Sequence, residues 1–514
     1  MKRKSKRSLL TGILLIGVIL IGFVAFFAAK WYIEVYGQTG FDSVLFTLFS
    51  GLNGVQSDLI DNYLLNSLLP ALICTAVVGF VLLYWSKVQI RLKAFQKVTF
   101  HLYPLRRPMA ALLSLLMCGC CVWNAAGRVQ LPQYFRDLQQ QTDLYEVEYV
   151  APESVNIVFP EEKRNLIYIF LESMECTFFS EEEGGGLQEN VIPELYALAA
   201  SEENINFSQT QGVGGSCAVT GTTWTIAAMT AQTSGLPLRL PAGADKNGFG
   251  EGTTILSGAT TLNDLLHAEG YAQALMVGSN SDFGGRKRYF ENHGVETIYD
   301  IFTAREAGLI DEDYWVWWGM EDLYLYEYAK EEITQMAKGE QPFAFTMLTV
   351  DTHHVGGYVC SLCGKEHAEQ YENVYACASR QLAEFITWLQ EQDFYENTTI
   401  VITGDHPSMD WNYIQRNVDT DHYTRRVYNC FINSAVQTDY AKNREFLSFD
   451  MFPTVLASLG CEIEGERLGL GVNLFSGEPT LTEQYGYAYM DSEISKSSFY
   501  YNSHFMKLGS LTKQ

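Results

Sequence analysis

The chain has 514 residues, 47% of them hydrophobic and 13% aromatic, with 35 Lys and Arg against 60 Asp and Glu and a net charge of −25. This length accommodates more than one domain and a large core, and the aromatic content excludes a mostly disordered chain. The acidic balance argues against duplex nucleic acid, because phosphate contacts need clustered Lys and Arg. The average conceals a split: residues 1–128 carry 13 basic and 4 acidic residues, net +9, whereas residues 129–514 carry 22 and 56, net −34.

Three uncharged apolar runs lie in the basic part, predicting membrane spans at about residues 9–29, 66–86 and 108–127. Each crosses about 30 Å of hydrocarbon at about 1.5 Å rise per residue. The first run is longer than the apolar core of a cleaved signal peptide, and two further spans follow it. Basic residues cluster before the first span (Lys2, Arg3, Lys4, Lys6, Arg7) and between the second and third (Lys87, Arg91, Lys93, Lys97, Arg106, Arg107). The loop between the first two holds only Lys30 beside Glu34, Asp42, Asp58 and Asp61. By the positive-inside rule the two basic segments are cytoplasmic, so everything after Arg128 is extracytoplasmic. The apolar segment 41–52 is too short to span and is expected in the interface or packed on the spans.

Residues 129–160 read as a connector with some helix, 161–480 as the main extracytoplasmic domain, and 481–514 as Tyr- and Ser-rich strands completing it. Short apolar runs at 166–171, 271–277, 343–350, 399–403 and 427–432 read as buried strands. Helical patterns at 261–268, 320–337 and 369–391 alternate with them. The alternation predicts an α/β fold with a mostly parallel sheet covered on both faces. Functional groups in such sheets collect at the carboxyl ends of the strands.

The run at 166–171 ends in Glu172-Ser173, and a carboxylate at the mouth of a buried strand needs a partner. The run at 399–403 ends in Gly404-Asp405-His406, where an Asp oxygen and a His nitrogen can serve one metal. The run at 343–350 leads to Asp351-Thr352-His353-His354. The stretch from Gly221 through Thr222-Thr223-Trp224-Thr225-Ile226-Ala227-Ala228-Met229 can form a helix with Thr222 near its N-terminus, where N–H groups and the helix dipole favour phosphate. As an alternative, Thr222 is a plain helix cap. Arg286-Lys287-Arg288 is the densest basic cluster in the acidic portion and suits phosphate contacts. Together these predict a divalent metal on Glu172, Asp405 and His406, Thr222 as the activated nucleophile, and His and basic side chains around a phosphorylated substrate. Cys360-Ser-Leu-Cys363 has no second Cys-x-x-Cys in the part after Arg128 to complete a four-thiolate zinc site, so a local disulfide or two free thiols is expected.

At these residues the chain resembles the lipoteichoic acid synthase and phosphoglycerol transferase family. The matching stretches are Asn165 to Ser173, the Gly-Thr-Thr-Trp-Thr-Ile-Ala-Ala-Met run from Gly221, Thr349 to His354, Thr403 to His406, and the helical Phe449 to Gly460. The resemblance implies an α/β sulfatase-like domain of the alkaline phosphatase superfamily behind a helical membrane domain, in a multi-pass cell-membrane protein. The wording from Trp224 to Met229 is most similar to phosphoglycerol transferases that decorate periplasmic glucans. It implies phosphatidylglycerol as donor, a glycan or glycerophosphate polymer as acceptor, and a covalent glycerophosphoryl group on Thr222. It also implies a manganese-like ion, with magnesium or zinc as alternatives, held by Glu172, Thr222, Asp405 and His406. His353 matches a substrate-contacting histidine, and Arg286 and Lys287 fall in the region of the phosphoglycerol-binding loop. His422 is a further substrate or second-metal candidate.

Departures from related groups narrow this reading. Cys217-Ala-Val-Thr-Gly221 lacks the Pro and Arg of the formylglycine setting of true sulfatases, and Pro407-Ser408 replaces the Gly-Glu expected after Asp-His in phosphoethanolamine transferases. Phosphoethanolamine transfer, or a non-catalytic membrane-anchored binding protein, remains the alternative. Three spans instead of the five of the synthases put polymer synthesis in doubt.

Overall fold

The computed structural model describes residues 2–37, 41, 44–45, 57–84, 107–239 and 255–507. Two compact units emerge: Met1–Gln38 with Val55–Gln133, and Thr39–Gly54 with Tyr134–Gln514.

Among the described residues, the first unit contains three helices long and apolar enough to cross a membrane, over Leu10–Tyr36, Ile60–Leu82 and Pro108–Arg128. Helix α1 (Lys2–Tyr36) continues past the predicted end of the first span, helped by a Lys30–Glu34 pair one turn apart at 3.2 Å. The second span starts earlier than expected because a π-helical turn at Leu64–Leu68 joins Ser57–Tyr63 to α2 (Leu69–Tyr84). Helix α1 packs on α3 (Arg107–Arg128), and a Cβ on Gly22 would sit 2.8 Å from the Cys118 backbone. Small residues at such crossings let the backbones approach where hydrophobic burial offers no drive between helices. Accordingly Ala29, Ala71, Ala110 and Ala125 are buried, while Leu14, Ile21, Leu72, Phe80 and Leu115 face outward. The basic residues at 87–106 and most of the apolar segment 41–52 lie outside the described residues.

The second unit is built on a seven-stranded sheet. In chain order its strands are β1 (Asn165–Leu171), β2 (Gly215–Ser216), β3 (Ala272–Val277), β4 (Thr297–Tyr299), β5 (Phe343–Leu348), β6 (Thr398–Gly404) and β7 (Val427–Ile432). Their spatial order is β2-β7-β6-β1-β5-β3-β4. The five strands from β6 to β4 are parallel, and β7 and β2 add antiparallel pairings at one side. The five apolar runs read from sequence are therefore all strands, and the two missed, β2 and β4, are only two and three residues long.

Both faces of the sheet are covered. Leu166, Tyr168 and Phe170 of β1 enter one core, with Ile226, Met229 and Phe452. Ile167, Ile169 and Leu171 point the other way, against Leu325, Phe345, Phe385 and Ile386. Alternate side chains leave a strand on opposite faces, so a strand buried on both sides must be apolar at every position. Each fully buried Leu, Ile or Phe contributes about 1.5–3 kcal/mol relative to exposure.

Residues 134–160, expected as a connector, pack with this unit. Tyr145 is buried with its ring 5.1 Å from that of Tyr501, and Ile157–Val158 pairs with Glu462–Ile463. The expected strands at 481–514 are instead helices over the described residues: Leu481–Tyr485, Tyr487–Ser495 and a π-turn at Tyr501–Phe505. Thr480 and Glu483 form a capping box, and the buried pairs Met490/Ile494 and Tyr501/Phe505 fall four residues apart. That 3.6-residue period outweighs the β propensity of the tyrosines.

Candidate active site

The three central strands β6, β1 and β5 deliver their carboxyl ends side by side. Leu171 is in register with Gly404, so Glu172 and Asp405 emerge at one level from adjacent strands. Glu172 is 2% exposed, and its backbone is clamped from two sides. Its N–H donates to Thr349 Oγ1 at 2.9 Å, and its carbonyl accepts from Thr352 Oγ1 at 2.5 Å. The stretch after β5 thus orients Glu172. Ser173 takes φ +55°, and its N–H donates to Asp405 Oδ1 at 2.7 Å. Gly404 permits this approach: a Cβ there would fall 1.9 Å from the Met174 carbonyl oxygen.

Asp405 and His406 are 0% and 1% exposed. Asp405 Oδ1 also accepts the His406 N–H at 2.7 Å, while Oδ2 is buried without a hydrogen-bond partner among the described residues. His406 Nδ1 lies 2.9 Å from the Pro407 carbonyl oxygen. A carbonyl only accepts, which assigns the proton to Nδ1 and leaves the Nε2 lone pair facing the carboxylates. That nitrogen stands 3.3 Å from Asp405 Oδ2 and 3.6 Å from Glu172 Oε1.

Helix α4 (Thr225–Ser234) brings the hydroxyl. Thr225 is its first residue, after an extended Trp224. Thr225 Oγ1 lies 3.3 Å from Glu172 Oε2 and 3.4 Å from His406 Nε2. The side chain is partly exposed, giving a substrate access that the other three residues do not have. Buried Gln232 holds the helix in place, donating to the Gly404 carbonyl at 3.1 Å and accepting from the Tyr168 hydroxyl at 3.0 Å. The first-turn N–H groups of α4 and its dipole favour negative charge beside Thr225.

Thr222 does not occupy this position. It is 0% exposed, and its hydroxyl closes a turn, donating to the Val219 carbonyl and accepting the Val219 N–H, both at 2.9 Å. The helix begins three residues later than expected because Gly221, at φ +80°, takes the left-handed conformation of a turn. The signal in the sequence was the unbroken run Thr225-Ile-Ala-Ala-Met, which becomes the first turn and more of the helix.

Two buried carboxylates this close oppose each other. Burial, and then the Glu172 charge, push Asp405 up to about 7. Burial works in the same direction on Glu172, but the His353 and His406 rings, the Ser173 hydroxyl and Arg286 hold it below the usual carboxylate range. Burial lowers the His406 imidazole and the two carboxylates more than compensate, raising it. Ligand atoms of Glu172, Asp405 and His406 all lie within 4.8 Å of one another. This set, with the unpartnered Asp405 Oδ2 and the inward Nε2 lone pair, fits a divalent cation. Its O and N donors without thiolate suit manganese, magnesium or zinc.

Arg286 is buried at the edge of this field. Its guanidinium donates to the Phe283 and Asn280 carbonyls and to Ser279 Oγ at 3.0, 2.8 and 2.9 Å. Burial lowers its pKa to about 10 against the pull of Glu172, Asp405 and Asp300. His353 stacks on His354 and packs on Trp318, with ring centroids 4.4 and 4.3 Å apart. Burial lowers its pKa, with Glu172 opposing. Lys287 instead turns to Glu291 at 4.0 Å on the open side of its helix. The candidate His422 has a side chain that is 84% exposed and meets Asp419 Oδ2 at 2.8 Å. A histidine three residues from an aspartate in an exposed loop satisfies itself locally.

Sequence reading also missed Glu175 and Arg425. The Glu175 carboxylate is 0% exposed and takes two hydrogen bonds from the Arg425 guanidinium. It also accepts from the Ser408 N–H at 3.1 Å and Thr177 Oγ1 at 2.6 Å, while Arg425 donates to the Ser408 carbonyl at 2.7 Å. This pair fastens the segment after His406 to the segment after Glu172. Arg425→Ala would leave a buried carboxylate uncompensated, at an expected cost of about 3–5 kcal/mol. Thermal melting should show the loss, and adding Glu175→Gln should recover part of it.

A family profile described as sulfatase matches residues 164–461. Phosphoglycerol transferase I of Xanthomonas axonopodis pv. citri is 30% identical over 257 residues, covering 48% of this chain and 34% of that protein. Phosphoglycerol transferase I of Salmonella choleraesuis is 27% identical over 450 residues, covering 85% and 53%. The chain thus spans from a third to about half of the length of these relatives. The lipoteichoic acid synthase LtaP from Listeria monocytogenes is similar at 18% identity and TM-score 0.49, covering 65% of this chain and 81% of that one. The profile runs from the residue before β1 to Cys461 and takes in Glu172, Thr225, Asp405 and His406, so the chain belongs to the sulfatase family.

Proposed function

We propose that this protein is a membrane-anchored phosphotransferase that moves glycerol phosphate from phosphatidylglycerol to a hydroxyl of an extracytoplasmic glycan or glycerophosphate polymer. Thr225, in place of the expected Thr222, is its nucleophile. The observation that carries the reading is the partly exposed Thr225 hydroxyl at a helix N-terminus, 3.3 Å from Glu172 and 3.4 Å from His406. The names of the curated relatives, phosphoglycerol transferase I, support the group transferred. The three apolar helices tether the catalytic unit to the membrane that contains the donor.

A divalent cation on Glu172, Asp405 and His406, expected to be manganese, would lower the pKa of the Thr225 hydroxyl and offset charge on the phosphoryl oxygens. The chain supplies the rest. Thr225 Oγ forms a bond to phosphorus as the bond to the diacylglycerol oxygen breaks, and the Thr225 proton ends on diacylglycerol. An acceptor hydroxyl then attacks the same phosphorus, the Thr225 ester bond breaks, and the acceptor proton returns to Thr225. The first-turn N–H groups of α4, with Arg286 and His353, stabilise the developing negative charge.

The test offers the purified chain phosphatidylglycerol or phosphatidylethanolamine in mixed micelles, followed by mass spectrometry of the Thr225 peptide. Diacylglycerol release from phosphatidylglycerol and a glycerophosphoryl adduct on Thr225 are expected. Release only from phosphatidylethanolamine would reassign the head group, and an adduct on Thr222 would refute the nucleophile.

A further inference from the structure

A second cluster of metal-ligating side chains lies in the segment that follows His353-His354. Cys360 and Cys363 sit in the loop after β5, and Cys377 lies in helix α5 (Gln370–Gln390). In the sequence only the Cys-x-x-Cys pair is legible, and its third partner lies 14 residues beyond Cys363. The fold brings all three together: Cys360 Sγ is 3.6 Å from both Cys363 Sγ and Cys377 Sγ, and the three sulfurs lie within 4.8 Å of one another.

We infer that Cys360, Cys363 and Cys377 form a second metal site, a three-thiolate centre for a thiophilic divalent cation of the zinc class, with a fourth position open to solvent. Two thiolates on a tetrahedral zinc, each at about 2.3 Å, stand about 3.8 Å apart. A disulfide joins two sulfurs at about 2.05 Å and would leave the third outside the bond, whereas one cation accounts for all three. The surroundings supply N–H donors suited to thiolate charge. The Leu362 N–H lies 3.4 Å from Cys360 Sγ, and the Gln381 amide nitrogen lies 3.4 Å from Cys377 Sγ and 3.9 Å from Cys360 Sγ. Such contacts orient the ligands and stabilise their charged form.

No fourth Cys, His, Asp or Glu joins the cluster among the described residues. The side toward solvent is formed by half-buried Cys363 and exposed Ser361 and Leu362, which gives the ion an entry path. Binding releases the thiol protons, and the bound ion ties the loop carrying His353 and His354 to α5. The centre is thus a clamp on the loop beside the O/N cluster. It stands independently of the proposed phosphotransfer.

The test uses the full chain carrying Asp405→Asn, which disables the O/N cluster, purified in detergent without chelator. One equivalent of zinc should remain and should be lost on adding Cys377→Ser. Cobalt in place of zinc should give thiolate-to-cobalt charge-transfer absorption, which the O/N cluster has no sulfur to produce. If Cys377→Ser fails to fold, the cobalt spectrum of the Asp405→Asn protein decides: a thiolate band supports the site, and its absence overturns it. A disulfide among the three cysteines in non-reduced peptide maps, or metal content unchanged by Cys377→Ser, also overturns it.

Discussion

Thr225→Ala is expected to lower transfer by at least about 10³-fold, the scale seen when a nucleophile is removed from an intact site. Thr225 is partly exposed at the first position of α4, and among the described residues its hydroxyl makes two long contacts, to Glu172 and His406, so truncating it removes little packing. The melting temperature should barely change. Thr225→Ser keeps the oxygen and should retain a measurable fraction of the rate. The matched control is Thr222→Ala, which deletes the two 2.9 Å hydrogen bonds to Val219 in a fully buried turn. It should cost about 1–3 kcal/mol of stability and leave the chemical step largely intact. Head-group release assays and melting curves on the three variants separate the assignments. A Thr222→Ala protein that folds but does not transfer, beside an active Thr225→Ala protein, would reverse them.

The second large effect is expected from Asp405→Asn. The amide oxygen can still accept the Ser173 and His406 N–H groups that Oδ1 accepts, so the strand ends stay joined. The amide nitrogen then replaces Oδ2, which removes one anionic ligand from the cluster. Loss of the bound cation should lower transfer by several kcal/mol of barrier, about 10³-fold or more. The metal-free variant should be no less stable than the metal-free parent, because Asp405 is pushed up to about 7 by burial and the Glu172 charge, and a neutral side chain relieves both. Manganese at about 100 times its dissociation constant should stabilise the parent by about 2.7 kcal/mol and leave the variant unmoved. Metal analysis together with melting curves with and without manganese checks both halves. A variant that binds and responds like the parent would exclude Asp405 as a ligand.

The strands were legible because each central one is apolar at nearly every position, as burial on both faces requires, and because Gly, Asp or Glu punctuates their carboxyl ends. Glu172, Asp405 and His406 were legible for the same reason: a charged or ligating residue directly after a buried run has few other uses. The helix start was expected three residues too early, which is why Thr222 was read as the nucleophile. Both Thr222 and Thr225 are compatible with a helix start, and only the Gly221 turn, with its hydrogen bonds to Val219, decides between them. His422 was proposed on spacing alone, and in the structure its exposed side chain pairs with Asp419. The C-terminal helices were misread because tyrosine favours strands intrinsically, while the buried pairs four residues apart act only once there is a core to receive them.

The sequence by itself determined the membrane spans, the alternating α/β order and the O/N donors at two strand ends, since each is a local pattern of polarity and residue type. The tertiary structure alone decided which threonine meets those donors, that Arg425 neutralises Glu175, and that Cys377 joins Cys360 and Cys363. Each of these joins residues distant in the chain, from 14 positions for the thiols to 250 for the ion pair, and their proximity depends on strand register and helix packing, which no local window of residues encodes.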